Sequence, residues 1–246
     1  MRVLALIPAR MASTRYPGKP LAQIHGRPMI EFVFRATAAS PLVTDVFVAT
    51  CDDEIRTAVE SFGGRAILTG AHHERASDRC NEALEVLGPM QPAYDIVIMV
   101  QGDEPMTHPE QMAEVLQPFS DSKVNVVNLY STLTTDDAKG KNVVKVVISQ
   151  KGDAMYFSRL PIPGSMSTPT HPTGKQLGLI AFRTAYLRQF AALPPTPYEI
   201  SESVDMLRFL EHGIPIRMQL TQHVTVAVDT PEDLQQVARL LATPAW

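Results

Sequence analysis

The apolar positions fall into two rhythms. Short continuous runs, VLALI at 3–7, VFVAT at 46–50, RAIL at 65–68 and DIVIMV at 95–100, predict strands, the last a strand buried on both faces. Between them lie helical patterns. PMIEFVFRATAA at 28–39 predicts a helix with Pro28 in its first turn. Ile55, Ala58, Val59 and Phe62 share one helical face, and Gly63-Gly64 ends it. SDRCNEALEVLG at 77–88 predicts a helix with Ser77 as N-cap. Strand and helix alternating at this spacing predict an α/β fold, a Rossmann-like, mostly parallel sheet with helices on both faces.

The rhythm changes after residue 105. A helix is predicted over 109–117, and then VNVVNLYSTL, NVVKVVISQ and AMYFSR follow as strands without long helices between them. This predicts an antiparallel insertion, about 105–185, within a single domain of 1–246. PIPGSMSTPTHPTG at 161–174 is a loop by composition, and QLGLIAF at 176–182 is another strand. Two late helices are predicted. The first places Val204, Leu207 and Leu210 on one face; the second has Thr230 as N-cap, Pro231 at its first position and a stripe of Leu234, Val237, Ala238 and Leu241.

Composition narrows the function classes. A net charge of −4 over 246 residues argues against nucleic acid or an anionic membrane as partner. Cys51 and Cys80 fit no metal spacing and suit a reducing compartment. No apolar run is long enough for a membrane span, and Pro8 and Arg10 end the first run too early for a signal peptide, so a cytoplasmic protein is expected.

Against that acidic background IPARMASTRYPGKPL at 7–21 stands out. Arg10, Arg15 and Lys19 lie on a Pro- and Gly-rich segment leaving the first strand, and no acid appears before Glu31. Ligands of parallel α/β sheets bind beyond the carboxyl ends of the strands. Gly18 allows close backbone approach, and Arg and Lys offer forked and point-charge donors, so a triphosphate is a natural ligand. A solvated surface loop is the bland alternative. Neither GxxxxGK[ST] nor GxGxxG is present. Asp103 follows the 95–100 run, and Asp229 follows TVAV; an acid in either place also serves as a turn or cap residue.

PARMASTRYPGKPL, VQGDEP at 100–105, NVVKVV at 142–147, MYFSR at 155–159 and VDTPEDL at 228–234 together resemble the 3-deoxy-manno-octulosonate (KDO) cytidylyltransferases. The resemblance implies a nucleotide-diphospho-sugar transferase-like fold, transfer of CMP from CTP to a small acidic acceptor with release of pyrophosphate, Mg²⁺ as cofactor and a homodimer. It implies that Asp103 and Asp229 hold the metal, that Arg15, Lys19 and Asp103 are catalytic, and that Ala9, Arg10, Ser13, Arg15, Lys19, Ser77, Arg79 and Gln101 bind the nucleotide. It places Gln101, Arg159, Gln176, Ile180, Glu202, Asp205 and Met206 at the acceptor. The acceptor half departs from the family pattern: Gln176 stands for a His, Ile180 for a Tyr, Asp205 for Glu and Met206 for Gln; on the nucleotide side, near the cytosine, RASDR at 75–79 replaces a Ser-Gly-Thr-acid-Arg stretch. The acceptor is therefore left open between KDO, a modified ulosonic acid and another acid such as a phosphonate. A nucleotide-binding homologue without turnover is the non-enzymatic alternative. No residue stands out as a general base.

Overall fold

A computed structural model describes residues 1–13, 16–88, 93–164 and 173–241. In chain order the strands and α-helices are β1 (Val3–Ala9), β2 (Gln23–Ile24), β3 (Arg27–Pro28), α1 (Met29–Ala38), β4 (Asp45–Thr50), α2 (Asp53–Ser61), β5 (Ala66–Leu68), α3 (Ala76–Leu87), β6 (Ile96–Val100) and α4 (Glu110–Leu116), with short 3-10 helices at Lys19–Leu21 and Gln117–Ser120. There follow β7 (Val126–Thr132), α5 (Thr135–Lys139), β8 (Lys145–Ile148), β9 (Ala154–Ser158), β10 (Thr173–Arg183), α6 (Thr184–Ala192), α7 (Pro197–Glu202), α8 (Met206–Glu211), β11 (Arg217–Leu220) and α9 (Pro231–Leu240).

The chain forms two compact units. The first joins Met1–Met112 to the segment from Val224 onward; the second is Ala113–His223. In the first, β1 pairs in parallel with β4 on one side and β6 on the other, and β4 pairs in parallel with β5. β1 and β6 are buried at every position, which is why they read as unbroken apolar runs rather than as alternation. The path runs outward from β1 through β4 to β5, then returns past β1 to β6. Right-handed crossovers therefore put α1 and α2 on one face and α3 on the other. The reversal falls between β1 and β6, so the loops leaving Ala9 and Val100 open side by side at the switch point where such sheets bind ligands.

Gly102, just past β6, makes that proximity possible. A Cβ there would lie 2.9 Å from the Pro8 carbonyl oxygen and 3.1 Å from the Ile30 Cδ1. Any larger residue would push the end of β1 away. The last helix closes the first unit. Val228 and Val237 are buried with Ile24, Met29 and Phe32, and Tyr16, Met106, Leu234, Ala238 and Leu241 pack against them. The apolar stripe of α9 thus docks on the segment that carries the opening loop.

The second unit holds the antiparallel pairings, β7 with β10, β10 with β8 and β8 with β9, while β11 joins β7 in parallel. A register shift between Gln176 and Ile180 interrupts β10. Asn128 stitches this bulge: its Nδ2 donates to the Leu177 and Leu179 carbonyls at 2.9 and 3.2 Å, and its Oδ1 accepts from Gln176 Nε2 at 2.7 Å.

Several local expectations need correction. Pro28 is the N-cap of α1 rather than a residue of its first turn, because it also pairs across the small β2–β3 hairpin. Ser77 is not the N-cap of α3; Arg75 holds that place and Ser77 is buried inside the first turn, its hydroxyl 3.8 Å from Met99 Sδ. The helical face of Val204, Leu207 and Leu210 is broken: Ser203 takes a left-handed conformation, α8 starts at Met206, and Phe209 rather than Leu210 is fully buried. Apolar periodicity does not mark α6, because Leu187 and Phe190 are its only two buried positions. The 161–174 segment lies partly outside the described residues, and its end belongs to β10. The second late helix matches: Thr230 Oγ1 accepts from Asp233 N, and Asp233 Oδ2 accepts from Thr230 N.

Candidate active site

The opening loop is shaped by its own backbone. The Met11 carbonyl accepts from Ser13 N at 2.8 Å and Gly18 N at 3.0 Å, and Ser13 Oγ accepts from Tyr16 N at 3.3 Å. Asp52, at the end of β4, accepts from Met11 N at 2.8 Å and ties the loop to the sheet edge. Gly18 has φ +72°, a left-handed conformation natural to glycine, and it turns the chain so that Lys19 points back.

Lys19 is the centre of the site. Its Nζ donates to Asp103 Oδ2 at 2.7 Å and to Asp229 Oδ1 at 3.5 Å. The three side chains are 11%, 31% and 16% exposed respectively, so the cluster is sheltered but open on the Asp103 side. Two further bonds bring the acids together. Val228 N donates to the Asp103 carbonyl at 2.9 Å, clamping the 101–104 loop to the segment that precedes α9. Asp233 Oδ2 accepts from both Asp229 N and Thr230 N, so helix capping uses Asp233 and leaves the Asp229 carboxylate directed at Lys19.

Two carboxylates on separate loops facing one cation form a suitable hard-oxygen donor pair for a divalent ion. Mg²⁺ usually takes one or two carboxylates and completes its shell with phosphate oxygens and water. Asp103 and Asp229 fit that description.

The other residues expected at the nucleotide are placed unevenly. Ala9 ends β1 and is buried. Arg10 is exposed, with Nη1 3.4 Å from the His73 carbonyl. Gln101 is half-buried directly after β6. Arg15 lies outside the described residues. Arg79 is buried and its guanidinium donates to Thr69 Oγ1 at 2.6 Å, Gly70 O at 3.2 Å and His73 O at 3.4 Å. It holds the loop between β5 and α3 in shape.

In the second unit Glu202 accepts from Ser158 Oγ at 3.0 Å and Arg159 N at 2.8 Å. Arg159 donates from Nε to the Glu202 carbonyl at 2.7 Å and from Nη2 to the Ser203 carbonyl at 3.0 Å. Asp205 is half-buried at the start of α8. Ile180 is 4% exposed and Met206 0%, both within apolar packing.

Sequence reasoning gave no role to Lys145, although a lysine inside the apolar run NVVKVV was a signal. It is buried, and its ammonium donates to the Gly140, Val143 and Arg159 carbonyls at 2.5, 3.0 and 2.9 Å. Burial and the Arg159 charge push it below the usual lysine range, against opposing pulls from Asp137 and Glu202. It joins the start of β8 to the Arg159 segment that meets Glu202.

A cation-lined loop at the switch point, facing a carboxylate pair, defines a nucleotidyltransferase class of site. The sequence pattern of the family described as Cytidylyltransferase matches residues 4–229. The 3-deoxy-manno-octulosonate cytidylyltransferase of Myxococcus xanthus is 44% identical over 98% of this chain and 96% of its own length. That of Parabacteroides distasonis is 38% identical over 98% and 99%. A structure of CMP:2-keto-3-deoxy-manno-octonic acid synthetase complexed with CTP superposes with a TM-score of 0.88, at 37% identity and 98% coverage of both chains. The chain belongs to the 3-deoxy-manno-octulosonate cytidylyltransferase family. Among the described residues no helix is long and apolar enough to cross a membrane.

Proposed function

We propose that this enzyme transfers CMP from CTP to KDO and releases pyrophosphate. The convergence of Lys19, Asp103 and Asp229 at the β1–β6 switch point carries the reading. The acceptor hydroxyl attacks the α-phosphorus in line. The bond to the bridging oxygen of the β-phosphate breaks, and the hydroxyl proton leaves to solvent or phosphate. Such a reaction needs positioning and charge stabilisation more than covalent chemistry from the protein.

Asp103 and Asp229 would hold Mg²⁺, which when bound neutralises triphosphate charge and acidifies an acceptor hydroxyl. Lys19 would contribute its ammonium to the phosphate oxygens, moving only a short way from its carboxylates. Arg10 and the backbone of residues 11–13 and 16–18 would line the triphosphate, and Gln101 would stand between nucleotide and acceptor.

The substituted positions in the acceptor half favour unmodified KDO more than their chemistry first suggests. A buried sugar hydroxyl without a partner costs about 1–3 kcal/mol. Yet Ile180 and Met206 sit in the core, and the Gln176 amide is engaged with Asn128, so these three changes are absorbed by packing of the second unit. Pyrophosphate release should be saturable with CTP and KDO and far slower with UTP, GTP or ATP. Turnover confined to an amino-substituted ulosonic acid or a phosphonate would overturn the acceptor assignment.

A homodimer through the second unit fits its exposed apolar side chains, Met155, Leu160, Tyr198 and Ile200. Sedimentation should give twice the chain mass for the wild type, and less for Met155→Asp combined with Ile200→Asp. A monomeric wild type would remove the proposal.

A further inference from the structure

Outside the Lys19 cluster, the first unit gathers a second set of ligating side chains. The loop from β5 to α3 carries His72 and His73 in succession, and Glu82 projects from the second turn of α3. One ligand atom of each lies within 4.8 Å of the others. We infer that His72, His73 and Glu82 form a binding site for a divalent transition metal of the zinc type, with water completing the coordination.

The geometry is not that of a lone His–Glu hydrogen bond. His73 Nε2 is bonded to Glu82 Oε2, which would suffice for a structural pair. The second imidazole is what such a pair does not need. His72 lies in the turn that follows Gly70 and folds against His73, with ring centroids 4.1 Å apart. Gly70 provides the room: a Cβ there would lie 2.4 Å from the His72 ring. Its N–H also donates to Glu82 Oε2 at 2.8 Å, the kind of outer-shell bond that orients a ligating carboxylate.

The chemistry matches the same ion. Two imidazoles and one carboxylate suit Zn²⁺ and its neighbours, whereas Mg²⁺ prefers oxygen donors alone. Three protein ligands leave a fourth position for water. Burial raises the Glu82 carboxyl, while the Gly70 N–H and the two histidines lower it, leaving it below the usual carboxylate range. A bound metal would cross-link the β5–α3 loop to the body of α3. That loop presents the His73 carbonyl to Arg10 and Arg79, so the metal would stiffen one wall of the nucleotide side.

The test uses the full chain, stripped with chelator and dialysed against Zn²⁺ in excess Mg²⁺, which keeps the Asp103–Asp229 pair occupied. About one equivalent of Zn²⁺ should be retained, and Zn²⁺ should raise the melting temperature, because binding to the folded state alone stabilises it. His72→Ala and Glu82→Gln should each weaken Zn²⁺ binding at least roughly tenfold, since the loss of an outer-shell partner alone costs about that much. His72 is exposed, so His72→Ala should melt as the wild type does without metal. Replacing Zn²⁺ by Co²⁺ should give visible absorption in the wild type that both variants lose. Failure of the wild type to retain Zn²⁺, or equal retention by the variants, would overturn the site.

Discussion

Asp103→Asn is expected to lower kcat for CMP transfer by at least about 10²–10³-fold, the scale for loss of one preorganised charge-stabilising group. The substitution keeps the shape of the side chain and removes its charge. Lys19 then loses its 2.7 Å partner, and the metal pair is reduced to Asp229. The fold should hold, because the 101–104 loop is clamped through the Asp103 backbone carbonyl, which Asn retains, by Val228 N. Steady-state kinetics with CTP and KDO, read beside a melting curve, separate the two effects. The loss should appear in kcat more than in KM for KDO, since the group acts on the reacting phosphate. A variant within tenfold of wild-type kcat would remove Asp103 from the chemistry. A wild type that binds CTP but never turns over would point instead to a nucleotide-binding homologue.

The second large effect concerns stability. Arg208 and Glu199 are both buried and form a two-pronged ion pair, Nη2 to Oε1 at 2.6 Å and Nε to Oε2 at 2.8 Å. Arg208 also stacks 4.1 Å above the Phe190 ring and donates from Nη1 to the Phe190 carbonyl at 3.2 Å. Removing one partner strands a charge where water cannot reach it. Arg208→Met should therefore destabilise by about 3–5 kcal/mol. For a chain of this size that is a fall in melting temperature on the order of 10 °C. Glu199→Gln combined with Arg208→Met should recover part of the loss, because the stranded anion is then absent. Recovery would be incomplete, since the loss of Arg208 also removes its bond to the Phe190 carbonyl and its stacking on the Phe190 ring. A single variant as stable as the wild type would show that the pair is not what holds α7 to α8.

The same pair shows how far motif reading reaches. DMLR at 205–208 drew attention to Asp205 and Met206, positions where the family pattern differs. The structure places Met206 in the core and gives Arg208 the ionic role within α7–α8 packing. Nothing in the spacing of Glu199 and Arg208 announces a contact, because Ser203 breaks the helix between them and resets the angular relation of the two side chains. Gln176 is similar. Its partner Asn128 lies 48 residues earlier, and the bulge that requires their bond exists only once β7 and β10 are paired.

Apolar periodicity by itself determined the alternating elements of the first unit, because a strand buried on both faces and a helix buried on one leave different marks on the chain. The loop 7–21 declared its cations for a related reason: Pro and Gly exclude an α-helix there, and no acid close in sequence neutralises the charge. The Thr230–Asp233 cap was equally local. What only the tertiary structure decided is which distant groups meet. Asp103 and Asp229 converge on Lys19 because β1 and β6 are neighbours at the switch point and because the stripe of α9 buries itself against Ile24, Met29 and Phe32. His72, His73 and Glu82 assemble because Gly70 lets the loop fold back on α3. Local sequence specifies backbone conformation; encounters across many residues depend on packing that local patterning does not specify.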